Sequence, residues 1–364
     1  MKALKKYAYS PDYAVPPGAT LQEVMETLGM TQKELAVRTE LTVQSLNRIF
    51  KGEQPITVDT AARLELVTGT PAHVWNNLEK NYRERQAALA EQTRLKADLA
   101  WLKTIPTREL VKRGAIQPVA PATDKLWQVL RFYGVSSVAA WTELWARPAV
   151  AARRSACFES RPGPASAWLR LGELQAGARI CEPYNAARFR ELLPRLLALT
   201  RKAPAVYLKE LPELCATCGV AVALVEGMEK VPWSGATRWL TPEKVMILLS
   251  LRGKGEDKFW FSFFHEACHV LNDSKKDLLI NDGDFTDERE GRAEQFAAET
   301  LIPPQYDARI RAAGNCSAIE AIAAEREISP AIVAGRYQHL TKKWSWFKRL
   351  IRSLDGTDLS PLPA

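Results

Sequence analysis

The chain runs to 364 residues, 46% apolar and 25% charged, with a formal net charge of +8 and a pI near 9.1. That length suffices for two or more cores, and no apolar run is long enough to span a bilayer. Six cysteines, at 157, 181, 215, 218, 268 and 316, are too scattered for a disulfide scaffold. Met1-Lys2-Ala3-Leu4-Lys5-Lys6-Tyr7 has positive charge but no apolar stretch behind it, so no signal peptide and a cytoplasmic location are expected. The basic balance favours a polyanionic partner.

After Pro16-Pro17-Gly18, Leu21 to Leu28 reads as a short helix ended by Gly29. Thr31, with Glu34 three residues on, makes a capping box for a second helix, Gln32 to Arg38, which turns Leu35 and Ala36 inward. Thr42 caps a third helix, Val43 to Phe50, closed by Lys51-Gly52. Val43, Leu46, Ile49 and Phe50 are its expected buried stripe, leaving Gln44, Ser45, Asn47 and Arg48 outward. Amide, hydroxyl and guanidinium groups on one short exposed helix suit base edges in a major groove. The candidate DNA contacts are therefore Gln32, Thr42, Gln44, Ser45, Asn47 and Arg48, with Gln32 placed for a phosphate.

This region resembles the Xre-type helix-turn-helix of HigA/VapI antitoxins from about Pro17 to Tyr82. The resemblance is carried by Pro17-Gly18, by Gly29 through Ala36, by Leu46-Asn47-Arg48-Ile49, and by Gly52 and Pro55-Ile56-Thr57. It continues through a helix at Ala61 to Leu66, Gly69-Thr70 and Val74-Trp75-Asn76-Asn77-Leu78. The resemblance implies a homodimer binding a palindromic operator in double-stranded DNA, usually its own. Glu40 departs from it, standing in the inter-helix turn where the family usually has glycine. If that residue takes φ > 0, glutamate costs on the order of 1 kcal/mol.

Leu78 to Lys103, rich in Ala, Leu, Glu and Lys and free of Gly and Pro, reads as a connector helix of about 39 Å. Leu95, Leu99 and Leu102 form an apolar stripe near its end, and Ile105-Pro106 stops it. Gln117-Pro118-Val119-Ala120-Pro121-Ala122 is the best boundary by composition. Beyond it the chain stays helical: Asp124 to Gly134 with Trp141 and Trp145 following, then Trp168 to Ala178 and Ala186 to Thr200. Arg147, Arg153, Arg154 and Arg161 make this middle region basic, but no catalytic constellation stands out in it. Cys215-Ala216-Thr217-Cys218 has knuckle spacing without a second CxxC, and reads as a buried, inert helix end.

Strand character follows in Val220 to Val225 and Val245 to Leu251, with a shorter edge strand at Ala236 to Leu240. Ala236, Thr237 and Arg238 are the candidate substrate-binding residues, since an edge strand lays out a peptide by backbone pairing. Asp257 then starts a helix, Lys258 to Leu271, crowded with Phe259, Trp260, Phe261, Phe263 and Phe264. Inside it stands His265-Glu266-Ala267-Cys268-His269, which holds two of the chain's four histidines. Helical spacing puts both imidazoles on one face, one turn apart, where they can share a metal. Glu266 between them is the candidate catalytic base. A catalytic zinc site wants a third protein ligand, and spacing alone leaves Glu290 and Glu294 both open.

This part resembles the ImmA/IrrE metallopeptidases through Ser234 to Trp239, Leu249 to Arg252, Phe259 to His269, Phe296-Ala297-Ala298 and Leu301-Ile302-Pro303. The match extends to Ile328-Ser329-Pro330, Ile332-Val333 and Gly335 to His339. The resemblance implies Zn2+ held by His265, His269 and Glu290, the glutamate six residues before Phe296, with Glu294 in reserve where Asn or Asp is usual. Ala267 and Cys268 depart from the family's HELGH, beside the ligand positions but not on them. The implied chemistry is thermolysin-like: zinc acidifies a water, Glu266 takes its proton, and a peptide carbonyl is attacked. His339 is a further candidate because histidines are scarce, and Lys342 to Arg352 interleaves basic and aromatic residues that suit nucleic acid or an amphipathic dock.

The sequence thus predicts a mainly α protein with a small α+β zinc-peptidase domain. Its expected parts are a helix-turn-helix domain (1–78), a helical connector and linker (79–122), a helical middle region (123–215), a metallopeptidase domain (216–341) and a basic aromatic tail (342–364). The expected function is transcriptional regulation, as an autorepressor or HigA-type antitoxin carrying a zinc endopeptidase. Its expected partners are operator DNA and a toxin or protein substrate. The rivals are a non-enzymatic antitoxin that sequesters a toxin on a zinc scaffold, and a protease with the helix-turn-helix only for targeting.

Overall fold

A computed structural model describes residues 12–146, 161–251, 255–273, 279–281 and 288–354. Arg147, Arg153, Arg154, Cys157, the first seven residues and the end of the tail beyond 354 lie outside them. The protein is mostly helical with one small sheet, and divides into two compact units, Met1–Leu99 and Ala100–Ala364.

The first unit is all-α: α1 (Pro17–Thr27), α2 (Gln32–Thr39), α3 (Val43–Phe50), α4 (Val58–Thr68) and α5 (Ala72–Ala97). Three threonines start three of these helices. Thr31, Thr42 and Thr57 each accept a hydrogen bond from the backbone N–H three residues on, at 3.2, 3.0 and 3.2 Å. Glu34 does not close the capping box, because its carboxylate pairs with Arg38 at 2.7 Å. Leu21, Leu35, Leu46, Ile49, Leu64 and Trp75 build the core. Gly18 is required by close approach: a Cβ there would lie 2.2 Å from the Ile49 carbonyl oxygen. Glu40 adopts φ 55°, the left-handed conformation that favours glycine. Of the expected stripe on α3, Leu46 and Ile49 are buried, whereas Val43, in the first turn, is 40% exposed.

The long helix α5 has 26 residues, but it starts at Ala72 and ends at Ala97, not at Lys103. Its early turns belong to the core of the first unit. Glu79 accepts the backbone N–H of Ile56 at 3.0 Å, and the Tyr82 hydroxyl would lie 2.4 Å from a Cβ at Gly52. A 3-10 turn, Leu99–Thr104, follows it.

The second unit contains α6 (Thr107–Lys112), α7 (Ala122–Tyr133), α8 (Val138–Trp141) with a π-turn at Thr142–Ala146, α9 (Pro162–Ala178), α10 (Ala186–Leu199) and α11 (Pro204–Ala216). Then come β1 (Val220–Val225), β2 (Gly235–Thr241), β3 (Lys244–Ser250), α12 (Glu256–Asn272), β4 (Leu279–Asn281), α13 (Glu288–Leu301), α14 (Asp307–Arg311), α15 (Cys316–Arg326) and α16 (Pro330–Thr341). The sheet order is β1-β3-β2-β4. β1 runs parallel to β3, with Val220 opposite Val245, and β2 pairs antiparallel with β3 and with β4.

Both faces of the sheet are covered, which is why β1 is apolar at every position instead of alternating. Ala221, Ala223, Met246 and Leu248 face a core built with Trp141, Trp145 and Trp168. Val220, Val222, Ile247 and Leu249 face the other, with Phe189, Tyr207, Phe263 and Phe264. The middle helices are therefore one layer of the second unit. Ile105, Leu110 and Ile116 join the first of these cores, so the proline-rich stretch 117–122 lies inside this unit and does not separate units. Cys215 and Cys218 are buried free thiols at the end of α11, both raised by burial, Cys218 to about 11, in keeping with an inert helix end.

The described part of the tail, residues 342–354, packs against the second unit and forms no amphipathic helix. Trp346 and Phe347 pack on Tyr337, and Gln338 donates to the Trp346 carbonyl at 2.6 Å. Arg352 pairs with buried Glu256 at 2.7 Å, beside a β-bridge between Gly255 and Ser353.

Candidate metal centre and DNA-reading helix

The aromatic crowding of α12 buries the helix on most of its circumference, and the histidines go in with it. His265 is 2% exposed, Glu266 0% and His269 1%. α13 crosses beside them and supplies Glu290. Its carboxylate touches both rings: Oε2 lies 3.0 Å from His265 Nε2, and Oε1 3.3 Å from His269 Nε2. The two Nε2 atoms are 3.1 Å apart. His265, His269 and Glu290 offer ligand atoms that all lie within 4.8 Å of one another, and Glu294 is not in that group.

A second ring of groups, which the sequence reading missed, orients this set. Asp273 accepts from His269 Nδ1 at 2.6 Å, and Arg292 donates to its other oxygen at 2.6 Å. In the neutral ring, a proton held on Nδ1 leaves the Nε2 lone pair facing the other two donors. Asp273 is four residues past His269, so helical spacing alone carried the signal. Burial pulls the His269 pKa down, but the Glu290 hydrogen bond, the Glu266 charge and Asp273 together raise it to about 9. Glu290 is opposed by its burial yet falls to about 2, held there by hydrogen bonds to both histidines.

Glu266 projects from the same helix toward β2. Thr237 donates to its Oε2 at 2.7 Å, while Oε1 is buried and has no hydrogen-bond partner among the described residues. Burial raises its pKa despite the two histidines and Thr237, which makes the carboxylate a stronger base. Gly235 permits this approach, since a Cβ there would stand 2.5 Å from Glu266 Oε1. Cys268 is a buried thiol with its pKa raised by desolvation, so it has none of the thiolate character a redox role needs.

The donor chemistry fits zinc. A tetrahedral ion with bonds of about 2.0–2.1 Å holds its ligands about 3.3–3.4 Å apart, close to the separations found here. Two imidazole nitrogens and one carboxylate also match the donor count of a catalytic site with one open position.

The strand predicted to bind substrate is placed differently. β2 is covered by β4 from Gly235 to Thr237, so these residues do not form a sheet edge. Strand alternation turns Thr237 toward Glu266 and sends Ala236 and Arg238 to the opposite face. There Arg238 pairs with Glu173 at 2.5 Å and lies over Trp145. The side chains of Ala236 and Arg238 are therefore remote from the histidine face.

In the first unit, α3 presents Gln44, Asn47 and Arg48 to solvent. Thr42 is exposed but occupied as the cap, and it also donates to the Ser45 hydroxyl at 3.0 Å. Gln32 donates to Asn47 Oδ1 at 2.9 Å, so it braces α2 against α3. His339 is not part of the metal group, and its pKa is lowered by burial and by Lys342 and Arg336.

Residues 21–75 match the family model described as Helix-turn-helix, and residues 232–337 match the IrrE N-terminal-like domain. A protein of Escherichia coli (strain K12) described as an uncharacterized HTH-type transcriptional regulator, YddM, is 27% identical over 92 residues. That match covers 25% of this chain and 92% of the relative. The chain therefore joins an Xre-like helix-turn-helix domain to an IrrE/ImmA-like peptidase domain. No helix among the described residues is long and apolar enough to cross a membrane.

Proposed function

We propose that this protein is a DNA-binding transcriptional regulator whose C-terminal unit is a zinc-dependent endopeptidase. The observation that carries the reading is the convergence of His265, His269 and Glu290 within 4.8 Å, beside a buried carboxylate with one free oxygen, in a chain that also presents a polar recognition helix. His265, His269 and Glu290 would hold the metal. When bound, zinc supplies Lewis acidity that polarises a peptide carbonyl and acidifies water. Glu266 Oε1 then takes the proton of the attacking water and delivers it to the leaving amine. Thr237 fixes Oε2 so that Oε1 is the basic atom, and Asp273 fixes the His269 ring. The buried setting excludes bulk water and strengthens each of these contacts.

In the first unit, Gln44, Ser45, Asn47 and Arg48 read base edges, with Gln32 and Thr42 at the phosphate backbone. The reading includes a homodimer on a palindromic operator, in the manner of an autorepressor or HigA-type antitoxin, and a toxin or other protein as the peptidase's partner. Footprinting of the protein's own promoter, with Arg48→Ala beside wild type, tests the regulator half; no protection by wild type would end it. Candidate partner proteins cleaved by the zinc-loaded wild type and spared by Glu266→Gln support the peptidase half. Partner binding without cleavage in either protein would favour the scaffold reading.

A further inference from the structure

A cavity of about 300 Å3 opens between α12, α13 and α16, and each element bearing the metal group or the base contributes to it. Phe261 and Ser262 lie one turn before His265 and Glu266, Glu294 lies one turn after Glu290, and Ser234 precedes Gly235. One helical turn is about 5–6 Å, within reach of a side chain on a peptide laid across the centre. The cavity has the size of a small ligand pocket, enough for one long side chain.

Its walls are apolar where Phe261, Leu301 and Ile332 line it, and two half-buried carboxylates, Glu294 and Asp257, also line it. Glu294 is half-buried and makes no hydrogen bond among the described residues, and burial raises its pKa. Asp257 lies against Gly335, where a Cβ would come within 2.5 Å of its carboxylate, and its pKa is likewise raised by burial. Three basic residues also line the cavity: the charge of Lys258 acts on Asp257 and that of Arg336 on Glu294, in each case outweighed by burial. Arg336 is engaged in two hydrogen bonds with Asp307, at 2.9 and 2.8 Å. His339 has its pKa lowered, so it is neutral at pH 7. Lys258 is exposed, with its ammonium in water. Trp344, 57% exposed, also lines the cavity, and its ring already carries a cation, the Lys342 ammonium at 5.8 Å.

We propose that this cavity is the side-chain subsite of the peptidase-like centre, selecting an arginine or lysine beside the peptide bond held at the metal group. The methylene stem packs on Phe261, Leu301 and Ile332, and the cationic head meets Glu294 and Asp257. Glu294 is thereby a specificity residue, which accounts for a carboxylate one turn from Glu290 that is outside the ligand group.

The proposal rests on the peptidase reading, so its test is binding without turnover. Capped hexapeptides of alanine with arginine, norleucine or glutamate at one central position are titrated into zinc-loaded, full-length Glu266→Gln by calorimetry. The arginine peptide is expected to bind about tenfold tighter than the norleucine peptide, the scale of one charge-assisted contact. Adding Glu294→Gln removes that difference while zinc content stays unchanged. Ala298→Phe, which fills the cavity without altering its charge, weakens all three peptides. Equal affinity for arginine and norleucine overturns the proposal, as does a preference that survives Glu294→Gln, or loss of zinc in that variant. Selective binding with no cleavage by wild type leaves the subsite standing and rejects the peptidase reading instead.

Discussion

The two units use polar side chains in opposite ways. In the first, Gln44, Asn47 and Arg48 stand in solvent on a helix whose apolar side is buried, so reading a ligand needs no rearrangement of the core. In the second, His265, Glu266 and His269 are built into the core itself, among Phe259, Trp260, Phe263 and Phe264. Recognition of a hydrated polyanion works from the surface, while proton transfer and metal binding gain from a dry, fixed setting. The difference teaches that sites in the first unit can change at little thermodynamic expense. Sites in the second cannot, because each donor there is also a buried polar group whose partners hold the fold together.

The largest effect that can break this contrast is on catalysis. Glu266→Gln is expected to lower peptide cleavage by about 10²–10⁴-fold while operator affinity, measured by anisotropy, stays within about twofold. A second test asks whether the metal belongs to one unit only. Chelation of zinc, or His265→Ala, should lower the melting temperature of the second unit and leave that of the first unchanged, as two transitions in calorimetry. Equal zinc content in wild type and His265→Ala would reject the ligand set. In the metal-free protein His269 has its pKa raised from 6.5 to about 9. Its stabilisation is therefore complete below pH 6.5 and lost as pH rises through about 9, so the metal-free unit should melt progressively lower across that window.

On the surface side of the comparison, Arg48→Ala should weaken operator binding by about 1–3 kcal/mol while thermal stability moves by less than about 0.5 kcal/mol. The smallest expected change is at Glu40, whose φ is 55°. Glu40→Gly relieves the left-handed strain but loses a long ion pair to Arg63 at 3.4 Å, and should stabilise the first unit by on the order of 0.5 kcal/mol. A loss of stability would show that the Arg63 contact outweighs the backbone term.

Much of the first unit was legible because its signals are local. Thr31 and Thr42 act within three residues, and Gly29 and Gly52 mark helix ends where φ is positive. The pair His265 and His269 was legible for the same reason, being one turn of one helix. Choosing Glu290 over Glu294 was not legible from spacing, because it depends on how α13 is rotated against α12. Thr237 was named for its backbone, yet the structure shows its hydroxyl holding Glu266, a contact across 29 residues. β4 was missed because a strand of three residues carries little pattern of its own. The shared core of middle and C-terminal helices was also hidden, since apolar periodicity tells which face is buried and not which element buries it.

The bond between Arg352 and Glu256 spans 96 residues and, with the Gly255–Ser353 bridge, closes the N-terminal end of the helix that carries both histidines. During synthesis that end stays open until residue 353 has left the ribosome. A chain interrupted shortly before this point would therefore carry a complete first unit joined to a second unit whose histidine-bearing helix lacks these two contacts at its N-terminal end.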